Sequence, residues 1–284
     1  MKILKHMDEI AAIGIGSAHT VLGHLSYLLT SSTATKLGLR SMCANEICES
    51  CIKGKQRQKN VNKKVEFKAV KPGEKIYYNI SSIEHKSIGG AKFWLMFVDK
   101  CTGFKRSYFL RTKKELTVCG LQYIDKMEMA KIKIEKFRCN NTGENKKFTE
   151  KLLELQKNII TEYSAPGTPQ QNGVVKRGFA TLYGRVRAML TYAKMKGDIR
   201  HRLWAECANT ATHLEGILIP PNERKSNYQK IHNKNPAFIN NLRIFGKVGI
   251  MLTHKQIGFK SKLDEKGSVG IFVGYATEHG GDVY

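Results

Sequence analysis

From residue 76 to 200, short apolar runs alternate with longer stretches of helical periodicity. Ile76-Tyr77-Tyr78 forms the apolar centre of a strand predicted over Lys75–Ser81. Phe93 to Val98 is a continuous apolar run ending at Asp99, the pattern of a strand buried on both faces. A third strand is predicted over Arg106–Arg111 from Tyr108, Phe109 and Leu110. Gly89-Gly90 and Thr102-Gly103 mark short turns, so the three strands should be antiparallel neighbours. A helix is expected over 114–130 and a second over 146–157. Between them, Ile132 and Ile134 alternate with lysines and lead through Phe137 to Arg138-Cys139-Asn140-Asn141, and Ile159-Ile160 follows the second. The longest helix should begin after Pro169 and Asn172, because Val175, Phe179, Leu182, Val186, Met189 and Ala193 recur at three- and four-residue steps and define one apolar stripe. Residues 201–284 begin helical and end as short strands punctuated by glycine.

Charge changes the picture from a generic α/β chain to one with an anionic partner. Lys plus Arg is 48 against 24 for Asp plus Glu, a net charge of +24 over 284 residues. Such a balance points to DNA, or RNA, bound with an affinity that falls steeply as salt rises. The rival reading is a basic protein with no nucleic-acid role. Apolar residues make up 41%, enough for a sizeable core. No apolar run approaches the roughly 20 residues that span a membrane, and Ile10 to Ile15 is preceded by Asp8 and Glu9, a poor secretory signal. A nuclear or cytoplasmic location follows as the expectation, not a secreted one, and the seven cysteines read as thiols.

His19 and His24, followed by Cys48 and Cys51, supply two imidazoles and two thiolates. That donor set closes a tetrahedral zinc site with no position open for water, so the metal would be structural. A spacing of five is awkward on one helix face, and Gly23 offers the bend that would bring the two histidines together. Cys43 is an alternative thiolate. Cys101, Cys119, Cys139 and Cys207 sit beside apolar segments and read as small core residues.

His19-Thr-Val-Leu-Gly-His24 with Cys48-Glu-Ser-Cys51, Ser87-Ile-Gly-Gly90 with Phe97-Val-Asp99, and above all Ala165-Pro-Gly-Thr-Pro-Gln-Gln-Asn-Gly-Val174 resemble the pre-integrase and integrase segment of copia-type retrotransposon Pol polyproteins. Leu203-Trp-Ala-Glu206, Leu242-Arg-Ile-Phe-Gly246 and Gly270-Ile-Phe-Val-Gly-Tyr275 resemble the region after that core. The resemblance implies an α/β fold with an RNase H-like integrase core, a five-stranded mixed sheet with flanking helices. It also implies a pre-integrase zinc-binding region over 1–60, a basic linker over 61–75, the core over 76–235 and a small β-barrel-like region over 236–284. The chain would then be one segment of a larger polyprotein plan that acts as a homo-oligomer on DNA.

The family reaction is DNA integration by hydroxyl attack on phosphorus, with two magnesium ions held by two aspartates and a glutamate. Carried over position by position, the three acids correspond here to Asn79, Asn140 and Lys176. Three carboxylates contribute about −3 and the present set about +1, a swing of roughly four charges that should abolish paired-metal binding. Magnesium is expected of the family but not of this chain. Glu84, Asp99 and Glu144 are nearby acids, with Asp99 read as the cap of the turn to Gly103. Lys176, Arg177, Arg185 and Arg187 on the long helix, with Gln170, Gln171 and Asn172 before it, are the expected DNA contacts. The expected function is a catalytically inactive, DNA-binding integrase relic, decayed or adopted by a host. The alternatives are an active integrase using other acids, and a zinc-dependent interaction module.

Overall fold

The computed structural model describes residues 15–37, 48–55, 69–165, 169–252, 267–275 and 282–283. Cys43 and most of the basic linker lie outside them. The chain opens with three short helices, α1 (Ile15–Val21), α2 (Tyr27–Lys36) and α3 (Glu49–Lys55). The strands follow as predicted: β1 (Ile76–Ser82), β2 (Phe93–Asp99) and β3 (Lys105–Leu110) pair antiparallel, with Asn79 opposite Met96 and Phe97 opposite Arg106. Gly90 takes the left-handed backbone (φ 83°) that its turn needs, and Gly103 does the same (φ 73°). Asp99 is wholly buried and caps the second turn: its Oδ2 accepts from the Thr102 amide and hydroxyl at 2.7 Å each, and its Oδ1 accepts from the Gly73 amide at 2.9 Å.

Next come α4 (Leu116–Met129), β4 (Lys136–Cys139), α5 (Gly143–Glu154) and β5 (Ile160–Tyr163). The second predicted helix starts three residues earlier than its apolar pattern suggested, at Gly143. It stops earlier too, where Gln156 enters the left-handed region (φ 51°). β4 runs parallel to both β1 and β5, which gives a five-stranded mixed sheet in the order β3-β2-β1-β4-β5. The remaining helices are α6 (Gly173–Tyr192), α7 (Gly197–Arg202), α8 (Trp204–Gly216) and α9 (Asn227–His232).

The period-two alternation of the strands splits the core between the two faces of the sheet. Ile76, Tyr78, Leu95, Phe97 and Phe137 pack with residues of α4 and α5 on one face. Tyr77, Trp94, Met96 and Val98 pack with residues of α6 and α8 on the other. The predicted stripe of α6 is the buried face, since Val175, Phe179, Leu182, Val186 and Met189 are all within this second cluster. Val21, Leu22 and Leu25 belong to it as well, so the apolar residues around α1 share the core of the sheet and have no separate one.

After residue 236 the described residues form two small ladders, β6 (Val248–Leu252) with β7 (Gly267–Ile271), and β8 (Gly274–Tyr275) with β9 (Asp282–Val283). The closure of a barrel falls on residues outside those described. Phe272 and Tyr275 anchor this end in the main core, where Tyr275 stacks on Phe238 with ring centroids 4.6 Å apart. Among the described residues no helix is long and apolar enough to cross a membrane.

Candidate metal centre and candidate nucleic-acid interface

His19 leaves α1 near its end, and Gly23 and His24 both adopt left-handed backbone (φ 80° and 59°). This is the bend that a spacing of five needed. It folds the His24 ring back against His19, with Nδ1 of His24 3.3 Å from Nε2 of His19. The turn into α3 brings Cys48 Sγ to 3.3 Å from His24 Nδ1 and Cys51 Sγ to 3.3 Å from His19 Nε2. The four donor atoms all lie within 4.8 Å of one another. A zinc ion about 2.0–2.1 Å from nitrogen and about 2.3 Å from sulfur sets tetrahedral edges of about 3.3–3.8 Å. The donor set and its spacing therefore fit such an ion, and the two histidines and two cysteines are the residues that would hold it.

The electrostatics suit ligation. Burial, then the charges of His19 and Lys55, holds His24 down to about 3, so its imidazole is neutral and can donate a lone pair. Burial likewise lowers His19. The Cys51 thiol is pushed up by burial and pulled back by Lys55, a half-buried lysine beside it that sequence reasoning missed. The centre is bolted to the sheet domain through α6. Gly54 lies so close to that helix that a Cβ there would sit 2.9 Å from the Ala188 amide nitrogen and 3.1 Å from the Gly184 carbonyl oxygen. Arg187 Nε donates to the Gly54 carbonyl at 2.9 Å, and the His24 ring meets Tyr192 edge-on at 5.4 Å.

The second cluster lies where the parallel strands β1 and β4 end, the usual ligand crevice of such sheets. Asn79 on β1 and Asn140 just after β4 are brought together: Asn140 Nδ2 donates to Asn79 Oδ1 at 3.0 Å. Asn140 Oδ1 accepts from Asn172 Nδ2 and from Ser164 Oγ, each at 3.3 Å. Asn172 also donates to the Tyr78 carbonyl at 3.1 Å, and Asn145 Nδ2 donates to the Asn140 carbonyl at 2.6 Å. Lys176 stands four residues beyond Asn172, one helical turn along the same face of α6. It is half-buried, and among the described residues nothing accepts a hydrogen bond from it. Ser164 and Asn145 carried no signal in the sequence, because their part in the cluster depends on where the chain folds back.

The donors and acceptors here do not fit a pair of divalent ions. Magnesium needs anionic oxygens in near-octahedral array. The two amides are spent on each other, and the third position carries an ammonium. The other acids do not replace them. Asp99 sits at the opposite end of β1, in register with Ile76, and is committed to its turn. Glu144 pairs with Lys113 at 3.5 Å.

Two of the expected DNA contacts are corrected by the packing. Arg185 is buried, and its guanidinium pairs with the buried Glu215 of α8, which also holds Lys105. Burial raises that carboxyl, but the two cations outweigh it and hold it at about 2. The apolar stripe of α6 is wide enough to take Arg185 inside with it. Asn172 is wholly buried in the amide cluster. Arg177 is exposed, Arg187 is exposed apart from its bond to Gly54, and Gln171 is exposed while accepting from Arg138 at 2.8 Å and from the Ala165 amide at 2.9 Å. Gln170 lies in the short 3-10 turn Pro169–Asn172, and its side chain is outside those described.

No family model matches the chain. It is 26% identical over 281 residues to the retrovirus-related Pol polyprotein from transposon TNT 1-94 of Nicotiana tabacum, which covers 96% of this chain and 20% of that protein. It is 23% identical over 267 residues to the retrovirus-related Pol polyprotein from transposon RE1 of Arabidopsis thaliana, covering 92% of this chain and 17% of that protein. The chain thus spans about a fifth of the length of these curated relatives. Among solved structures it is similar to a chain of the simian T-cell lymphotropic virus intasome in complex with PP2A regulatory subunit B56 gamma, at TM-score 0.48 and 13% identity, covering 79% of this chain and 76% of that one. It is also similar to the HTLV-2 integrase catalytic core domain in complex with magnesium, at TM-score 0.43 and 15% identity, covering 58% of this chain and 100% of that one. The likeness to transposon Pol polyproteins runs over nearly the whole chain, in agreement with the resemblance carried by its motifs.

Proposed function

We propose that this chain is a retrotransposon integrase-like protein that binds DNA and does not carry out metal-dependent strand transfer. The observation that carries the reading is the Asn140–Asn79 hydrogen bond of 3.0 Å. Two positions that must both be anionic to hold divalent ions are joined by an N–H donor, and Lys176 adds a cation beside them. An amide oxygen is a weak ligand that offsets none of a divalent charge. The commitments of Asp99 and Glu144 favour this reading over an active enzyme that uses other acids. The burial of Val21, Leu22 and Leu25 in the main core favours it over a free-standing interaction module.

In this reading zinc at His19, His24, Cys48 and Cys51 is structural, and Lys176, Arg177, Arg187 and Gln171 meet phosphates. The chain works as a homo-oligomer, as its resemblance implies. The test pairs two assays on the full chain. Joining of a 3′-processed oligonucleotide to plasmid DNA with magnesium should give no product, while duplex binding should weaken steeply with salt. Magnesium-dependent joined product would overturn the loss of chemistry. Duplex binding that does not respond to salt would overturn the interface.

A further inference from the structure

A cavity of about 640 Å³ opens at the free edge of the sheet, along β3, on the far side from the amide cluster. Helices α4 and α8 wall it on either face of the strand, and α9, the segment 234–238 and Tyr275 close its end. Its volume is in the range of pockets that enclose a small organic ligand, roughly 300–1,000 Å³.

Two properties narrow the ligand. The first is charge. Lys105, Arg106, Lys126 and Lys234 line the cavity, and no carboxylate does among the described residues. Lys105 is neutralised from behind by Glu215; the rest of the wall keeps a positive field. Burial pushes the imidazole of His213, a lining residue, down to about 4, and the charges of Arg106 and Lys126 push in the same direction. His232, next to the cavity, is held at about 4 by burial and by Arg106 and Lys234. The second property is aromatic surface. Phe104, Tyr228, Phe238 and Tyr275 present rings to the space, with Tyr228 edge-on to Phe104 at 6.2 Å and Phe238 stacked on Tyr275. The Nδ1 atom of His213 is buried there without a hydrogen-bond partner, and the side chains of Gln122 and Asn209 add amide donors and acceptors.

An anion alone does not use a wall of rings, and a neutral aromatic does not use three cations. We propose that this cavity binds a nucleoside phosphate, with the base against the aromatic wall and the phosphates against Arg106, Lys126 and Lys234. Stacking on such rings is tolerant of base identity, and the unpartnered His213 nitrogen and the amides supply polar contacts to the base edge or sugar. The ligand is either a free nucleotide or the terminal nucleotide of a strand, the chemistry being shared. The site is separate from the face of α6 proposed to meet duplex DNA, so either can fail without the other.

The experiment is titration calorimetry of dATP into the full, metal-loaded chain, compared with inorganic triphosphate and with deoxyadenosine. Saturable 1:1 binding is expected for dATP, about tenfold tighter than for either fragment. Lys234→Glu, at an exposed position, and Arg106→Ala should each weaken dATP about tenfold. Lys147→Glu, an equal change of charge at an exposed residue of α5 that does not line the cavity, should leave it within twofold. Displacement of dATP by a short 5′-phosphorylated oligonucleotide supports the site and assigns it to a strand end; no displacement supports it and assigns it to a free nucleotide. Inorganic triphosphate binding as tightly as dATP, equal losses from Lys147→Glu and Lys234→Glu, or no saturable binding would each overturn the proposal.

Discussion

The metal centre and the amide cluster have had opposite fates in one fold. At the metal centre both the positions and the chemistry of the donors are present: two imidazoles held neutral by burial and two thiols, at 3.3 Å separations that match a tetrahedron. At the end of the parallel strands the positions converge equally well, but the groups that meet there are amides, a hydroxyl and an ammonium. The difference separates two things that an active centre usually combines. Convergence comes from strand register and helix packing, and neither depends on whether a side chain ends in a carboxylate or an amide. Charge comes from the side chain alone. A cluster that loses its charge can keep its shape by turning its polar groups on one another, as Asn140 and Asn79 do. A cluster of four metal ligands has no such alternative, since two imidazoles and two thiols make poor hydrogen bonds to each other.

The contrast can be broken in four ways. Chelation, or Cys48→Ser, should have the largest effect. Structural zinc contributes on the order of 10 kcal/mol of binding free energy in small modules. Losing even about 4 kcal/mol of it would lower the unfolding midpoint by about 10 °C at ~2–4 °C per kcal/mol. A midpoint unmoved by chelation in calorimetry would mean that the centre does not need its metal. The triple revertant Asn79→Asp, Asn140→Asp, Lys176→Glu comes second. It should gain divalent-ion binding, seen as stabilisation of about 2.7 kcal/mol when magnesium is 100-fold above its Kd. The unaltered chain should show no magnesium-dependent shift. Equal shifts in both proteins would show that the amide cluster does not govern ion binding.

Third, Asn172→Ala removes the donor shared by Tyr78 and Asn140. It should cost about 1–3 kcal/mol in denaturant unfolding, because it strands a buried acceptor. No loss would mean that water fills the gap and that the cluster is not self-supporting. The smallest effect is expected of Gly54→Ala, about 1 kcal/mol from overpacking against Ala188 and Gly184. Zinc stoichiometry should stay unchanged, measured by elemental analysis. A variant that lost its metal would show that docking on α6 and ligation are one event.

Much of this was legible from the sequence. The continuous apolar run of β2, the turn glycines and the stripe of α6 announced their elements because burial imposes period and length. The four metal ligands were legible because the residue types themselves carry the chemistry. Asn79, Asn140 and Lys176 were found through the resemblance of their surroundings, and the structure joins the first two directly. What escaped was long-range pairing. Arg185 read as a solvated cation on a helix, and nothing nearby in the sequence marks Glu215 as its buried partner. Asn172 read as a loop residue open to DNA, because its burial depends on Tyr78 and Asn140, 94 and 32 residues away. The cavity on β3 was invisible for the same reason, since its cations come from three separate elements and one loop.

Helix α6 touches the amide cluster at its first turn and α3 at Gly184 and Ala188. Sixteen residues separate Asn172 from Ala188, about 24 Å at ~1.5 Å per residue. Along a duplex that rises ~3.4 Å per base pair, this is roughly seven steps. Because Gly54 lets the two backbones meet without an intervening side chain, that separation has little play in it. The helix is a ruler: footprints left at its two ends on one bound duplex should keep a constant phase, whatever the sequence between them.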